Sequence, residues 1–304
     1  MGGFVFTGGS NPIKRERING TLNKFIVELT RIFPDANKYF ENPQTLGSVG
    51  KKDISGDIDI AIDESCFDNI EDWGLDTKHI DELFEKFKKR ARTATDEQLM
   101  KRAIIVAISE KINSSSEIIK TDQKQSGSGV LFCQFPQYEN DNQLDLTVQI
   151  DINFGKLEWL KFAYYSDSYT GNVKGLHRTQ LMLHLFANKG YIFGHNYGVK
   201  ERETQKFVAT KPEEAIELLN KLYNIQLTFE ILQNYHKLQE YLQNNVDKDE
   251  LNKVYDIYLK TLDSTRCDIP DDLQSYWIEN RERLELKGKF LPETSRLQKY
   301  KIEE

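Results

Sequence analysis

Asp57 and Asp59 alternate with Ile58, Ile60 and Ile62 in the run Gly56-Asp57-Ile58-Asp59-Ile60-Ala61-Ile62. In a strand, residues two apart share a face, so both carboxylates project into one small volume while the isoleucines take the buried side. Carboxylates that close repel each other and resist double ionisation unless a cation lies between them, and hard oxygen ligands select Mg2+ or Mn2+. Such ions bridge phosphates and neutralise the charge that develops in phosphoryl transfer. A lone Asp-x-Asp is more simply an exposed strand end with solvated acids. The residues upstream shift that balance. Gly47 and Ser48 follow Leu46 at the mouth of a strand, where backbone N–H groups can approach a phosphate without a Cβ in the way, and Lys51 and Lys52 add positive charge nearby.

The pattern Gly47-Ser48-x-x-Lys51-Lys52, followed by Ser55-Gly56-Asp57-Ile58-Asp59-Ile60, resembles the signature of the polymerase-beta-type nucleotidyltransferase superfamily. Its Ser-Gly-Asp-x-Asp form is most similar to the family X DNA polymerases. The resemblance implies an α+β fold, with a palm-type mixed sheet flanked by helices, and a third carboxylate on a neighbouring strand. The run Leu144 to Phe154 alternates strictly, with Leu144, Leu146, Val148, Ile150, Ile152 and Phe154 on one face, which predicts that strand. Asp151, in the context Ile150-Asp151-Ile152, is similar to the family's third carboxylate, and Asp145 on the same face is the competitor. By that likeness Asp57 and Asp59 would hold two Mg2+ (or Mn2+) ions, and Asp151 the one that activates the attacking hydroxyl. Ser48, Lys51, Lys52, Ser55 and Gly56 would cradle the β- and γ-phosphates.

Further likenesses follow in order. Phe162-Ala163-Tyr164-Tyr165-Ser166-Asp167-Ser168 is similar to the aromatic turn that packs under the incoming sugar and base, although Asp167 stands where the family has glycine. Ala187-Asn188-Lys189-Gly190-Tyr191 resembles the family's Lys-Gly helix end, and Thr210-Lys211-Pro212 its last conserved turn. Tyr164 and Tyr165 would then line the nucleotide pocket, where buried tyrosines are otherwise ordinary core residues. The implied reaction is transfer of a nucleoside monophosphate from an NTP or dNTP to a hydroxyl, in the first place a nucleic-acid 3′ end. The alternatives are transfer to a protein or small molecule, and an inactive binding module.

The elements that must hold these residues are a helix from about Ile18 to Phe33, stopped by Pro34, and two more over Thr77 to Arg92 and Thr95 to Ile112. A polar loop from Ser114 to Gly129 reads as mobile. Val130 to Phe135 should pair with the Asp151 strand, with Gln137 to Gln143 as the loop between them. Thr7-Gly8-Gly9-Ser10 lacks the Lys-Ser/Thr that a phosphate loop needs and reads as flexible. From Leu227 onward, apolar residues recur at helical spacing, without a catalytic constellation. The expected division is a palm-like catalytic domain over 1–160, a nucleotide-binding subdomain over 161–225 and a helical extension over 226–304, the last a partner platform or a stabilising lid.

The chain has 304 residues and a formal net charge of −7, which argues against a surface that coats DNA indiscriminately. Lys86, Lys88, Lys89, Arg90, Arg92, Lys101 and Arg102 are a local exception. Near the carboxylates they could neutralise phosphates; alternatively they form a solvated face paired with Glu85, Asp81, Glu82 and Glu97. The scattered cysteines Cys66, Cys133 and Cys267 and the lack of a long apolar run suggest a reducing, cytoplasmic setting without membrane insertion. His177 and His184 share a helix face and read as structural.

Overall fold

The structure is a computed structural model that describes residues 5–6, 9–91, 94–124, 126–127, 129–167, 173–265 and 267–286. The fold is α+β. Two compact units divide the chain: Met1–Tyr164 with Gly194–Gly198, and Tyr165–Phe193 with Val199–Glu304.

In the first unit a short strand β1 (Ile13–Lys14) leads into helix α1 (Arg15–Ile32), and β2 (Gln44–Thr45), β3 (Ile54–Ser55) and β4 (Ile58–Asp63) follow. Helices α2 (Thr77–Lys88) and α3 (Asp96–Ser115) precede β5 (Lys120–Thr121), β6 (Val130–Glu139), β7 (Asn142–Gly155) and α4 (Leu157–Ala163). A five-stranded mixed sheet has the order β2-β4-β7-β6-β5, and β1 pairs with β3 separately. Among the described strands only β4 and β7 run parallel, and a parallel pair needs a crossover, which α2, α3, β5 and β6 supply.

Hydrophobic spacing explains the packing. Ile18, Leu22, Phe25, Leu29 and Ile32 form one stripe of α1, with Phe25 edge-on to Phe135 of β6 at 5.3 Å between ring centres. Residues Ala103 to Ser109 of α3 are buried all round, and the helix starts with a capping box in which Thr95 and Gln98 exchange bonds of 3.2 Å. These helices share one core with Ile58, Ile60, Ile62, Ile150, Ile152 and Phe154.

Three expectations are corrected here. The β6–β7 ladder continues to Glu139↔Asn142, so the loop is not Gln137 to Gln143 but the pair Asn140-Asp141, with φ of 48° and 67°. Asn and Asp tolerate the left-handed conformation that a two-residue hairpin turn demands, and Pro136 is accommodated at a register shift between Pro136 and Tyr138. Gly9 and Ser10 are held rather than loose: Gln134 Nε2 donates to the Gly9 carbonyl at 2.9 Å and to Ser10 Oγ at 3.1 Å, and Asn11 N–H donates to Thr147 O at 2.8 Å. Thr7 and Gly8 lie outside the described residues. The Ser114 to Gly129 segment carries β5 and a buried Ser126 whose N–H bonds to Asp122 O at 3.0 Å; its residues Gln125 and Ser128 are not described. For the basic helix face the sequence left two readings open, and its described ion pairs match the second, a face paired with acids. Ile80 and Leu83 of α2 join the core on the apolar side of the sheet, opposite the polar side chains of Asp59 and Asp151. Lys88 pairs with Asp96 at 2.9 Å, Lys101 with Glu64 at 2.7 Å and Glu97 at 2.8 Å, and the Arg102 guanidinium lies 4.5 Å from the Phe87 ring centre. Arg92 is not described.

The second unit contains α5 (Gly175–Asn188), strands β8 (Tyr191–Gly194), β9 (Gly198–Glu201) and β10 (Phe207–Ala209) in the order β10-β9-β8, and α6 (Pro212–Tyr223). Helices α7 (Phe229–Gln233), α8 (Tyr235–Asn245), α9 (Lys248–Ser264) and α10 (Gln274–Asn280) complete it. Gly190, at φ 82°, ends α5 in the left-handed turn that the Lys-Gly spacing suggested. His177 and His184 are spent on structure: His177 Nδ1 accepts the Lys174 N–H at 2.9 Å, and His184 Nε2 bonds Thr261 Oγ1 at 2.7 Å. Leu251, Val254, Tyr258 and Leu262 of α9 are buried in the same unit as α5. Residues 287–304 of the expected extension are not described.

Among the described residues no helix is long and apolar enough to cross a membrane.

Candidate active site

Parallel pairing sets the site. β4 and β7 align Asp59 directly beside Asp151, in the register Ile58↔Ile150, Asp59↔Asp151, Ile60↔Ile152, so the two isoleucine pairs and the carboxylate pair occupy opposite faces. Asp57 precedes β4 by one residue and lies within electrostatic reach of both. Asp145 is exposed on the part of β7 that extends past the end of β4, about 20 Å along the strand from Asp151, and is no part of this cluster.

Burial, then mutual repulsion, governs the charges. Loss of water raises the Asp57 carboxyl, and burial with the Asp57 charge pushes Asp59 up to about 7. Asp151 is driven well above the usual carboxylate range by burial and by Asp59 and Asp57. Two neutral amides, which sequence reasoning passed over, partly offset this. Gln149 Nε2 donates to both carboxylate oxygens of Asp151, at 2.8 and 3.1 Å, and Asn153 Nδ2 donates to Asp59 Oδ1 at 3.3 Å. Their signal was available, since Gln149, Asp151 and Asn153 are polar residues on one face of a strand buried on both sides.

No three His, Cys, Asp or Glu side chains among the described residues stand at metal-holding positions. The donor set is of the kind that suits a hard divalent cation: Asp59 lies beside Asp151 in the ladder, and Asp57 is within electrostatic reach of both.

The remaining expected residues divide by place. Gly47, at φ 64°, closes the turn after β2, and a Cβ there would lie 3.7 Å from Asp59 Oδ2 and 3.9 Å from Tyr164 O. Glycine is needed for that φ, and it brings the backbone to the carboxylate. Ser48 accepts the Lys51 N–H through its carbonyl at 3.0 Å. Arg15 grips the same loop, donating from Nη2 to Lys51 O at 3.1 Å and from Nε to Lys52 O at 3.2 Å, with Asp53 at 3.3 Å. β3 brings Ser55 next to exposed Gly56 and then Asp57; Ser55 is buried, and its Oγ has no hydrogen-bond partner among the described residues.

The two tyrosines separate. Tyr164 belongs to the first unit, and its hydroxyl is pushed up by burial and by Asp59 and Asp151, so the phenol stays neutral beside the carboxylates. Tyr165 belongs to the second, where the Arg178 guanidinium lies 5.9 Å from its ring centre. Asp167, the departure from the family turn, accepts a 2.7 Å bond from Asn234, the residue that also caps α8, so an acid there ties the turn to that helix. Ser168 is not described.

Compared with known proteins, the chain matches no family model and no curated protein sequence.

Proposed function

We propose that the first unit is the palm-like catalytic half of a nucleotidyltransferase that moves a nucleoside monophosphate from an NTP or dNTP to a hydroxyl and releases pyrophosphate. One observation carries the reading: the parallel register that sets Asp59 beside Asp151, with Asp57 and the Gly47 turn against the same carboxylates. Asp57, Asp59 and Asp151 would bind two Mg2+ or Mn2+ ions. Bound there, the ions supply the charge neutralisation that phosphoryl transfer requires.

The chain's own groups do the rest. Asp57 and Asp59 would hold the ions, and an Asp151 carboxylate oxygen would take the proton of the attacking hydroxyl as its oxygen bonds the α-phosphorus and the bond to pyrophosphate breaks. Gly47, Ser48 and Gly56 let backbone approach the triphosphate, while Lys51 and Lys52 bring positive charge. The orphaned Ser55 Oγ supports this arrangement, because a buried hydroxyl without a partner costs about 1–3 kcal/mol unless a ligand oxygen meets it.

The first acceptor class is a nucleic-acid 3′ end, templated or not. The pairing of Lys88 and Lys101 with acids on the far side of the sheet favours a second reading, a hydroxyl of a protein or small molecule, which needs no phosphate track. The test is incubation with Mg2+ or Mn2+, labelled NTPs or dNTPs, and single strand, primer-template, tRNA or protein extract. Labelled nucleic acid is the expected result, and labelled protein transfers the assignment to the second reading. No label and no nucleotide binding by calorimetry would overturn both and leave a binding module.

A further inference from the structure

The segment Gly194–Gly198 lies in the first unit although its flanking residues belong to the second. At its centre Asn196 is buried, and every polar atom of its side chain is engaged. Its Nδ2 donates to the Gly129 carbonyl at 2.8 Å and to the Phe154 carbonyl at 3.4 Å, and its Oδ1 accepts the Tyr164 hydroxyl at 3.2 Å. Those two donations fix the amide's orientation, so the oxygen has to face the tyrosine.

The backbone is shaped to admit this residue. A Cβ at Gly155 would lie 2.5 Å from the Asn196 carbonyl oxygen, and one at Gly129 only 2.8 Å from Asn196 Cβ. Gly129 also sits at φ 113°, which side chains rarely adopt. Gly155 ends β7, four residues after Asp151, and faces Asp63 across the parallel ladder. Asn196 therefore docks on the strand that carries Asp151 and holds a ring that stands beside Asp151 and Asp59. The neighbouring His195 ring, 5.6 Å from that of Tyr164, packs against the same tyrosine.

We propose that Asn196 is a positioning residue for nucleotide binding, which fixes Tyr164 as the wall of the carboxylate site. This inference rests on the nucleotidyltransferase reading above. Tyr164 bounds the volume next to Asp59, and Asn196 acts only through it.

The experiment measures nucleotide affinity by calorimetry with Ca2+ and an NTP, together with kcat and KM for the NTP, in the full chain and in Asn196→Ala, Tyr164→Phe and the double variant. Each single change should weaken nucleotide affinity and raise KM about fivefold, the scale of one hydrogen bond, with kcat changed less than about twofold. The double variant should be no worse than the weaker single, because both remove the same bond. Tyr164→Phe keeps the ring's packing, so the proposal stays testable where Asn196→Ala folds poorly. Unchanged affinity in Tyr164→Phe, or losses that multiply in the double variant, would overturn the positioning role. A wild-type chain that binds no nucleotide would instead overturn the function reading, and this inference with it.

Discussion

The two faces of the β4–β7 pair show opposite solutions to burial. On one, Ile58, Ile60, Ile62, Ile150 and Ile152 are at most 2 % exposed and packed under α1 and α3. On the other, Asp151, Gln149 and Asn153 are buried and Asp59 is half-buried, with amide donors from Gln149 and Asn153 partly compensating the acids. The first face gains stability from every residue it covers. The second holds charge at a cost, as sites do where ligand chemistry outranks stability.

Exchanging one carboxylate is the strongest way to separate the faces. Asp59→Asn should reduce nucleotidyl transfer on the order of 10³-fold or more while leaving the melting temperature level or higher, because an amide tolerates the enclosure that a carboxylate resists. Turnover near wild type would break the assignment. Asp151→Asn should be similarly severe and Asp145→Asn silent, so side-by-side assays show whether the cluster or merely the strand's acidity matters. On the apolar face the balance reverses: Ile152→Ala should cost about 2–5 kcal/mol in denaturant unfolding and leave the chemistry of the folded fraction intact.

A pH series sharpens the same contrast. With Asp59 pushed up to about 7, the folded metal-free chain keeps a proton that the unfolded chain releases near pH 4. Between those values the unfolded state binds fewer protons, so stability should fall as pH rises, and Asp59→Asn should flatten the slope. Mg2+ or Mn2+ should then stabilise the chain more at pH 8 than at pH 6, since protons compete for the ligands. A melting temperature that climbs from pH 4.5 to 7 and is indifferent to Asp59→Asn would contradict the raised carboxyl. The smallest effect belongs to the basic helix. Lys88→Ala should change neither turnover nor its salt dependence, and a loss of acceptor binding would return that helix to the site.

Much of this was legible in the sequence because it rests on period and local chemistry. Alternation fixed both faces of β7, and the i, i+2 spacing paired Asp57 with Asp59. What escaped needed the third dimension. Nothing in Gln149 or Asn153 announces a partner until the parallel register places Asp59 beside Asp151. Lys86 to Arg102 left a phosphate track and an acid-paired face both open, because spacing shows a charged face without showing which side of the sheet it covers. The Asn140-Asp141 turn hid behind Pro136, a residue that ordinarily ends a strand.

The chain enters the first unit twice, once through Tyr164 and again over Gly194–Gly198. No single recombination point can therefore add or remove the second unit as a cassette. A gene joined at Tyr164 would leave the cleft between Gly129 and Gly155 empty and the Tyr164 hydroxyl without its acceptor. The two units are bound to be inherited together, and changes in the strands around residue 196 are constrained by glycines far from them in the gene.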